Sequence, residues 1–189
     1  MKDFKIVVLG TAASGKTSFS KLLKGKIKGA KILEINELAK RKGYLSKKRD
    51  KYGAREADLL KISNSIRANT RSGVWIITGH LGSEMRIKAD IAVVLRTHLK
   101  VLERRMIKRG YQRGKISENL VSEATDYSGI KASTLYREVY EVSNQEEKER
   151  VANYIKDIIE GRKTKRPKIS EKRYLSELIR YIKDGKYGL

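Results

Sequence analysis

Residues 10–17, with the sequence GTAASGKT, constrain the fold of this chain more than any other segment. They match GxxxxGK[ST], the pattern of a phosphate-binding loop or Walker A motif. The apolar, partly β-branched residues 4–9 precede the loop and predict a buried parallel strand. Apolar residues at 19, 22 and 23 follow it at helical spacing. This order directs backbone N–H groups and a helix N-terminus towards one point, where a polyphosphate can bind.

Two side chains of the loop have chemistry that suits a nucleotide. Lys16 is expected to reach the β- and γ-phosphates, and the Thr17 hydroxyl is expected to ligate Mg²⁺. The alternative is a turn between a strand and a helix that matches the motif by chance. All the fixed residues of the motif and both flanking segments agree with a phosphate-binding loop, which argues against that alternative. We therefore predict a nucleotide-binding protein.

The charge balance predicts a polyanionic partner. Forty-four Lys and Arg residues stand against 22 Asp and Glu, which gives a net charge of +22. A nucleotide pocket needs only a few cations, so an excess of this size favours contact with RNA or a ribonucleoprotein. The alternative is the charge-rich surface of a thermophilic protein. That alternative explains abundant charge, but not a two-to-one imbalance of sign.

Three further properties bear on where the chain works. It contains no cysteine, which excludes disulfides and thiolate metal sites. No apolar run approaches the roughly 20 residues that cross a bilayer, so we expect no membrane partner. The first predicted strand begins close to Met1, and we expect no signal peptide. Together these features predict a soluble, cytoplasmic protein.

The pattern along the chain predicts an α/β fold. Strands are predicted at residues 4–9, 30–35, 74–78, 91–95 and 135–142. Helices are predicted after the loop and at 37–42 with Asn36 as N-cap, 59–72, 99–110, 116–127 before a break at Ser128-Gly129, and 146–159. Residues 44–55 are predicted to be a loop. Strands separated by helices predict a P-loop NTPase three-layer sandwich, with a five-stranded parallel sheet and the ligand at its carboxyl edge.

The C-terminal part differs in composition from the rest. Residues 161–168 contain the only proline and are predicted to be a linker, and Leu175, Leu178, Ile179 and Ile182 predict a short helix. Ten Lys and Arg against three Asp and Glu give residues 161–189 a net charge of +7. Such a tail is either a solvated appendage or an RNA-binding arm. We predict one domain at 1–160, followed by a basic linker and C-terminal helix at 161–189.

Missing motifs narrow the class of P-loop protein. The chain has no Asn-Lys-x-Asp motif, which argues against a small GTPase, and no Leu-Ser-Gly-Gly signature, which argues against a transporter ATPase. A small parallel-sheet chain with a basic central loop and a later arginine-bearing loop suggests a nucleoside-monophosphate kinase. Such enzymes catalyse phosphoryl transfer by positioning and charge neutralisation.

Three segments together resemble the adenylate kinase isoenzyme 6 family and its archaeal relatives, which combine kinase and ATPase activity with ribosome assembly. They are residues 10–18, 35–39 and 94–119. The most specific part is Arg-Gly-Tyr at 109–111, followed by Lys-Ile-x-Glu-Asn at 115–119 and the acidic Glu123. The resemblance covers about residues 3–160 and leaves the tail unexplained.

The resemblance implies roles for individual residues. The donor phosphates of ATP would be held by Gly10, Ala13, Ser14, Gly15, Lys16, Thr17, Ser18 and Arg109. Residues 36–59 would bind the acceptor, and 108–118 would form a short lid. Lys16, Arg109 and His80 would be catalytic, and Thr17 would ligate Mg²⁺. Arg109 would lie over ATP as the lid arginine, the alternative being a cation at a helix C-terminus; Arg105 is a weaker candidate for the same cluster.

The chain departs from the eukaryotic pattern at two places. Ala12-Ala13 replaces Pro-Gly, so the loop is expected to be tighter or to adopt helical angles there. Thr78-Gly79-His80 replaces Asp-x-His, whose aspartate holds the Mg²⁺ shell; Asp58 or Glu34 could supply that charge. His80 would orient a water molecule, or else be a turn histidine bonded to backbone. His98 is expected to start a helix without a further role.

The implied function is a broad-specificity adenylate kinase (ATP + AMP = 2 ADP) that also hydrolyses ATP. In the family this activity serves small-subunit ribosome maturation and rRNA processing, through small-subunit ribosomal protein number eleven. The basic residues 47–49 and the tail would contact rRNA phosphates. A purely metabolic nucleotide kinase and an ATP-binding assembly chaperone with little catalysis are the alternatives. ADP formation with and without AMP discriminates among the three.

Overall fold

The computed structural model describes residues 3–49, 55–143, 145–168 and 174–185. The strands are β1 (Phe4–Leu9), β2 (Lys31–Glu34), β3 (Leu45–Arg49), β4 (Arg55–Ala57), β5 (Val74–Thr78), β6 (Ile91–Leu95) and β7 (Val139–Val142). The helices are α1 (Lys16–Lys26), α2 (Ile35–Arg41), α3 (Leu59–Asn69), α4 (Leu99–Lys108), α5 (Arg113–Ala124), α6 (Tyr127–Leu135), α7 (Gln145–Ile159) and α8 (Leu175–Lys183).

The core is a parallel sheet with strand order β2-β5-β1-β6-β7. Alternate residues of β1 point to opposite faces: Ile6 and Val8 pack with α1 and α7, whereas Val7 and Leu9 pack with α2, α3 and α6. Burial on both faces explains why the central strands are almost continuously apolar. The predicted three-layer sandwich with five parallel strands is therefore confirmed.

The predicted loop at 44–55 is wrong. Residues of β3 and β4 form an antiparallel pair, in which Leu45 lies opposite Ala57 and Arg49 opposite Arg55. Leu45 and Ala57 also pack against the core on one face of the sheet. Two short strands rich in charged residues carry too few apolar side chains to show a period, and the pairing itself depends on packing. The remaining part of the predicted loop, residues 50–54, lies outside the described residues.

The predicted strand at 135–142 is wrong in its first half. Helix α6 continues through Ser128-Gly129, where a break was predicted, and ends at Leu135. A Cβ at Gly129 would overlap Oδ1 of Asp126, so the glycine leaves room for that carboxylate and does not end a helix. Asn36 is likewise not an N-cap, because α2 begins at Ile35 and Glu34 occupies the capping position.

The C-terminal helix packs against the domain. Tyr174, Leu178 and Tyr181 are buried with apolar side chains of α4 and α5. The expectation of a solvated appendage is therefore wrong for residues 174–185, whereas nearly all of 161–168 is exposed. Among the described residues, no helix is both long enough and apolar enough to cross a membrane.

Candidate active site at the phosphate-binding loop

The loop between β1 and α1 depends on glycine at its first position. Gly10 adopts a φ of 129°, and a Cβ there would lie 2.6 Å from the carbonyl oxygen of Leu95. Gly15, at the start of α1, has a φ of 106°. The motif thus places glycine at two positions where φ is positive, a backbone conformation that other residues rarely adopt. The loop turns back over the carboxyl edge of the sheet at this point.

Ala13 differs from the sequence prediction. It has a φ of 64°, in the left-handed region, whereas either a tighter loop or helical angles were expected there. This conformation costs an alanine about 1–2 kcal/mol. Its methyl group is buried beside Leu99, Leu102 and Met106, which offsets part of that cost. The carbonyl oxygen of Ala13 accepts a hydrogen bond from Nη1 of Arg105 at 3.2 Å.

Lys16 extends back across the loop and has no anionic hydrogen-bond partner in the part of the chain that the structure describes. Its Nζ donates to the carbonyl oxygens of Gly10, at 2.7 Å, and Thr11, at 2.8 Å. Burial lowers the pKa of Lys16 to about 8, against the opposing effect of nearby carboxylates. A partly buried ammonium group held only by carbonyls is a suitable partner for a phosphate.

We expect nucleotide affinity to fall at high pH. Lys16 is charged below its pKa of about 8, so the dissociation constant for ADP should rise about tenfold between pH 7 and pH 9, as the ammonium loses its proton. Calorimetric titration across this range measures the effect. Arg109 lowers the pKa of Lys16 further, and Arg109→Ala should move the transition to higher pH. An ADP affinity that does not change between pH 7 and pH 9 would contradict the assignment of Lys16 as the phosphate-binding group.

Buried polar atoms without partners surround the loop. Oγ of Ser14, Oγ1 of Thr78 and Oδ1 of Asn36 are all buried, and none has a hydrogen bond within the described residues. Native proteins rarely leave such atoms unpaired except where water, an ion or a ligand binds. Thr78 ends β5, and its register partner is Glu34 at the end of β2. These polar groups therefore lie at the carboxyl edge, beside the loop.

Glu34, and not Asp58, lies near Lys16. Burial raises the pKa of Glu34, and the charge of Lys16 partly opposes that rise. Asp58 instead caps α3: its Oδ1 accepts from the backbone N–H of Lys61 at 3.0 Å, and its Oδ2 pairs with Nζ of the same residue. Of the two carboxylates considered as replacements for the missing aspartate, the structure brings Glu34 to the site.

His80 is bonded to a side chain rather than to backbone. Its Nδ1 lies 2.9 Å from Nδ2 of Asn36, so the imidazole accepts from the amide and carries its proton on Nε2. The residue keeps an exposed surface, yet loss of water around the ring lowers the pKa of His80, and Lys16 and Lys115 lower it further. His80 is therefore neutral at physiological pH. A neutral imidazole can orient a water molecule.

A buried ion network, which the sequence did not predict, anchors the loop. Arg96 follows β6 and is 1% exposed. Its Nε donates to Oε1 of Glu123 at 3.1 Å, and Nη1 bonds the carboxylates of Asp126 and Glu141. The Thr11 hydroxyl of the loop donates to Oε2 of Glu123 at 2.5 Å. The network thus links the loop to β7 and to helices α5 and α6.

Two arginines of the α4 region lie near the loop. Arg105 contacts the loop directly at Ala13, although it was the weaker candidate. Arg109 directly follows α4 as its C-cap and is exposed, and its charge lowers the pKa of Lys16. Its role as a lid residue stays a prediction. The proposed lid, 108–118, comprises the end of α4, a short turn and the beginning of α5.

Helix α8 supports the start of α4. Glu177 accepts from the backbone N–H of Leu99 at 3.1 Å and lies 2.8 Å from Nδ1 of His98. The Tyr174 ring lies 4.8 Å from the His98 ring and 5.4 Å from Cζ of Arg96. His98 was expected to have no role beyond starting a helix. It instead joins the C-terminal segment to the end of the sheet.

Comparisons with known proteins match this architecture. A family model described as an AAA domain matches residues 6–126. The chain is 32% identical over 158 residues to "Putative adenylate kinase" of Methanothermobacter thermautotrophicus, covering 82% of this chain and 90% of that protein. It is 30% identical over 180 residues to the protein of the same name from Thermococcus gammatolerans, covering 94% and 98%.

Solved structures support the fold. Shikimate kinase from Acinetobacter baumannii in complex with shikimate superposes with a TM-score of 0.57 at 16% identity, covering 86% of this chain and 96% of that one. Shikimate kinase from Bacteroides thetaiotaomicron superposes with a TM-score of 0.56 at 15% identity, covering 83% and 98%. At these identities the likeness concerns the fold alone.

Proposed function

This chain belongs to the AAA-domain family and is related to archaeal proteins named "Putative adenylate kinase". From this membership we propose that it is a nucleotide kinase that transfers the γ-phosphoryl group of ATP to AMP and releases two ADP. One observation carries the proposal. Lys16 lies in a glycine-bounded loop, where two carbonyls are its only hydrogen-bond partners among residues 3–49, 55–143, 145–168 and 174–185, and buried polar atoms without a partner in those same ranges lie around it. This is an arrangement that a polyphosphate completes.

The proposed mechanism relies on charge neutralisation. Lys16 would bind the β- and γ-phosphates, and Arg105 or Arg109 would approach from α4 to offset the negative charge that develops during transfer. Backbone N–H groups of the loop would bind the remaining phosphate oxygens. In the absence of AMP, neutral His80 would hold a water molecule by its Nε2 side and permit slow ATP hydrolysis. Broad acceptor specificity would reside in residues 36–59.

Magnesium suits the oxygen atoms at this edge. The hydroxyls of Thr17 and Thr78 and the carboxylate of Glu34 are hard oxygen donors of the kind that Mg²⁺ prefers. The Thr78 oxygen is buried without a partner. A bound Mg²⁺ would withdraw charge from the phosphate oxygens. Thr17 would contact it, and Glu34 would replace the aspartate that the chain lacks at 78.

We expect Glu34→Gln to weaken the use of Mg²⁺. The substitution removes the carboxylate beside Thr78 but keeps its shape, so the Mg²⁺ concentration for half-maximal ADP formation should rise about tenfold or more. Asp58→Asn is the matched control, because asparagine still caps α3 and the residue lies away from Lys16. Mg²⁺ titrations of both variants provide the measurement. Equal shifts would refute the role of Glu34.

ADP formation by the purified protein tests the activity itself. With ATP and Mg²⁺, added AMP should accelerate ADP production strongly, and a slower AMP-independent rate should remain. No ADP under either condition would favour the ATP-binding chaperone, for which the replacement of a carboxylate by Thr78 is the supporting observation. Rapid AMP-dependent turnover that is insensitive to ribosomal components would favour a purely metabolic kinase.

We also propose that the ATP cycle serves maturation of the small ribosomal subunit, through small-subunit ribosomal protein number eleven and rRNA. The net charge of +22 supports a polyanionic setting. Lys47 and Lys48 are exposed on β3, and the basic residues of 161–168 are also exposed. Recovery of the protein from cell extract at low salt should bring ribosomal particles with it. Recovery of the protein alone would contradict this role.

A further inference from the structure

A second concave site lies at the opposite edge of the sheet from the phosphate-binding loop. The cavity has a volume of about 660 Å³. Its walls come from the beginning of β1, the residues before β6, the second half of α3 and the end of α6. All these segments meet at the amino edge of the parallel strands. The loop lies at the carboxyl edge, so the length of β1, roughly 20 Å, separates the two sites.

The rim of this cavity is strongly basic. Its cations are Lys5, Arg67, Arg86, Lys88 and Arg137. Within the described part of the chain, none of these five forms an ion pair with a carboxylate. Among the lining residues that the structure describes, Asp90 is the one acidic residue, and its Oδ2 accepts from the backbone N–H of Lys5 at 2.7 Å. Unpaired cations around a concave surface focus a positive potential on it.

The floor of the cavity is apolar and partly aromatic. Ile66, Ile87 and Tyr136 are buried there. The Tyr136 hydroxyl accepts a long hydrogen bond, 3.4 Å, from the backbone N–H of Ile87, and burial raises the pKa of Tyr136 to about 12. Ser63 and Asn64 add neutral polar groups from α3. A basic rim above an apolar floor suits a ligand that has phosphates on one side and a flat base on the other.

We propose that this cavity binds a segment of single-stranded RNA, with phosphates on the arginine and lysine rim and a base on the Tyr136 side. The volume lies within the range of small-molecule sites, about 300–1,000 Å³, so it holds only one or two nucleotides at a time. A single free nucleotide has too few phosphate groups to occupy five cations. An RNA strand that extends beyond the cavity brings the phosphates of its neighbouring nucleotides to the exposed rim. The proposal does not depend on kinase activity.

Fluorescence anisotropy with a labelled single-stranded oligoribonucleotide tests the proposal. The full chain is used with saturating ADP, so that RNA does not enter the phosphate-binding loop. The double variant Arg67→Glu/Arg137→Glu should bind RNA at least about tenfold more weakly at low salt. The slope of the logarithm of the binding constant against the logarithm of salt concentration should decrease in magnitude by about 1.4, because two phosphate contacts, each worth roughly 0.7, are lost.

A control variant distinguishes the loss of this site from the general effect of a lower net charge. Lys21→Glu/Lys24→Glu changes two exposed cations on α1 by the same total charge and should leave RNA affinity within about threefold of the unmodified protein. Equal weakening in both double variants would overturn the proposal. So would displacement of RNA by free AMP or inorganic phosphate at equal phosphate concentration, because that result identifies a small-anion site.

A second double variant and a crosslinking experiment test the proposal even if the charge-reversed protein folds poorly. Arg86→Gln/Lys88→Gln removes two exposed rim charges without introducing carboxylates and should weaken RNA binding about threefold to tenfold. Photocrosslinking with thiouridine-containing RNA should label the segment 86–90 or Tyr136. Labelling confined to 10–18, or elsewhere on the surface, would overturn the proposal. ADP formation should be unchanged in both rim variants.

Discussion

Lys16→Ala is expected to abolish phosphoryl transfer, lowering kcat/KM for ATP about a thousandfold or more, while the fold stays intact. The ammonium group is the positive charge at the centre of the loop, and among the described lysines it alone donates to Gly10 and Thr11. Stability should change little, because the side chain has no carboxylate partner to leave unpaired. Burial already disfavours its charge, since it lowers the pKa of Lys16 to about 8.

Steady-state ADP formation and urea unfolding of the same preparation provide the measurement. The free energy of unfolding should change by no more than about 0.5 kcal/mol, which is the range typical of a surface substitution. Lys21→Ala is the matched control, because it removes an exposed lysine from the next turn of α1. Full turnover by Lys16→Ala would exclude the loop as the site of transfer, whichever nucleotide is the acceptor.

Arg96→Met is expected to destabilise the protein by about 3–5 kcal/mol. The guanidinium is almost fully buried and is shared by the carboxylates of Glu123, Asp126 and Glu141. Its removal leaves Glu123, itself 2% exposed, as a buried charge without a cation. The midpoint of thermal unfolding should fall by roughly 6–20 °C for a chain of this size. Arg104→Met, at an exposed position on α4, should have little effect.

The pH dependence and a double variant identify the cause. Burial raises the pKa of Glu141, and the charge of Arg96 opposes that rise. Loss of the cation should therefore raise this pKa further, so the destabilisation should be largest at neutral pH and should shrink in acid, as the carboxylate becomes protonated. Arg96→Met/Glu123→Met should be less destabilised than Arg96→Met alone, because it leaves one fewer buried charge. A loss that is independent of pH and of Glu123 would show that only packing had changed.

The glycine-bounded loop and the sheet could be predicted from local patterns. Residues 10–17 depend on backbone angles and steric room that the motif itself encodes, as the contact at Gly10 illustrates. The central strands β1, β5 and β6 are buried on both faces, so each appears as a short run of apolar residues. Helical spacing identified α4 and α7 for the same reason, because one face of each packs on the core.

Other features could not be predicted, because their causes lie far away along the chain. The left-handed Ala13 is held by packing against α4 and by a hydrogen bond from Arg105, 92 residues later. The pairing of β3 with β4 needs the core surface on which Leu45 rests. A local pattern records near neighbours only, and none of these contacts lies within one turn of helix or one strand.

The amino-acid sequence by itself determined the phosphate-binding loop, the parallel sheet and the chemistry available at its carboxyl edge, because hydrophobic periodicity and glycine geometry act over a few residues. Only the tertiary structure selected Glu34 over Asp58, placed Asn36 against His80, and gathered Arg96 with three carboxylates. It alone brought five cations to one cavity at the amino edge. Such constellations form where separate strands and helices end together, and their positions follow from the packing of the whole core.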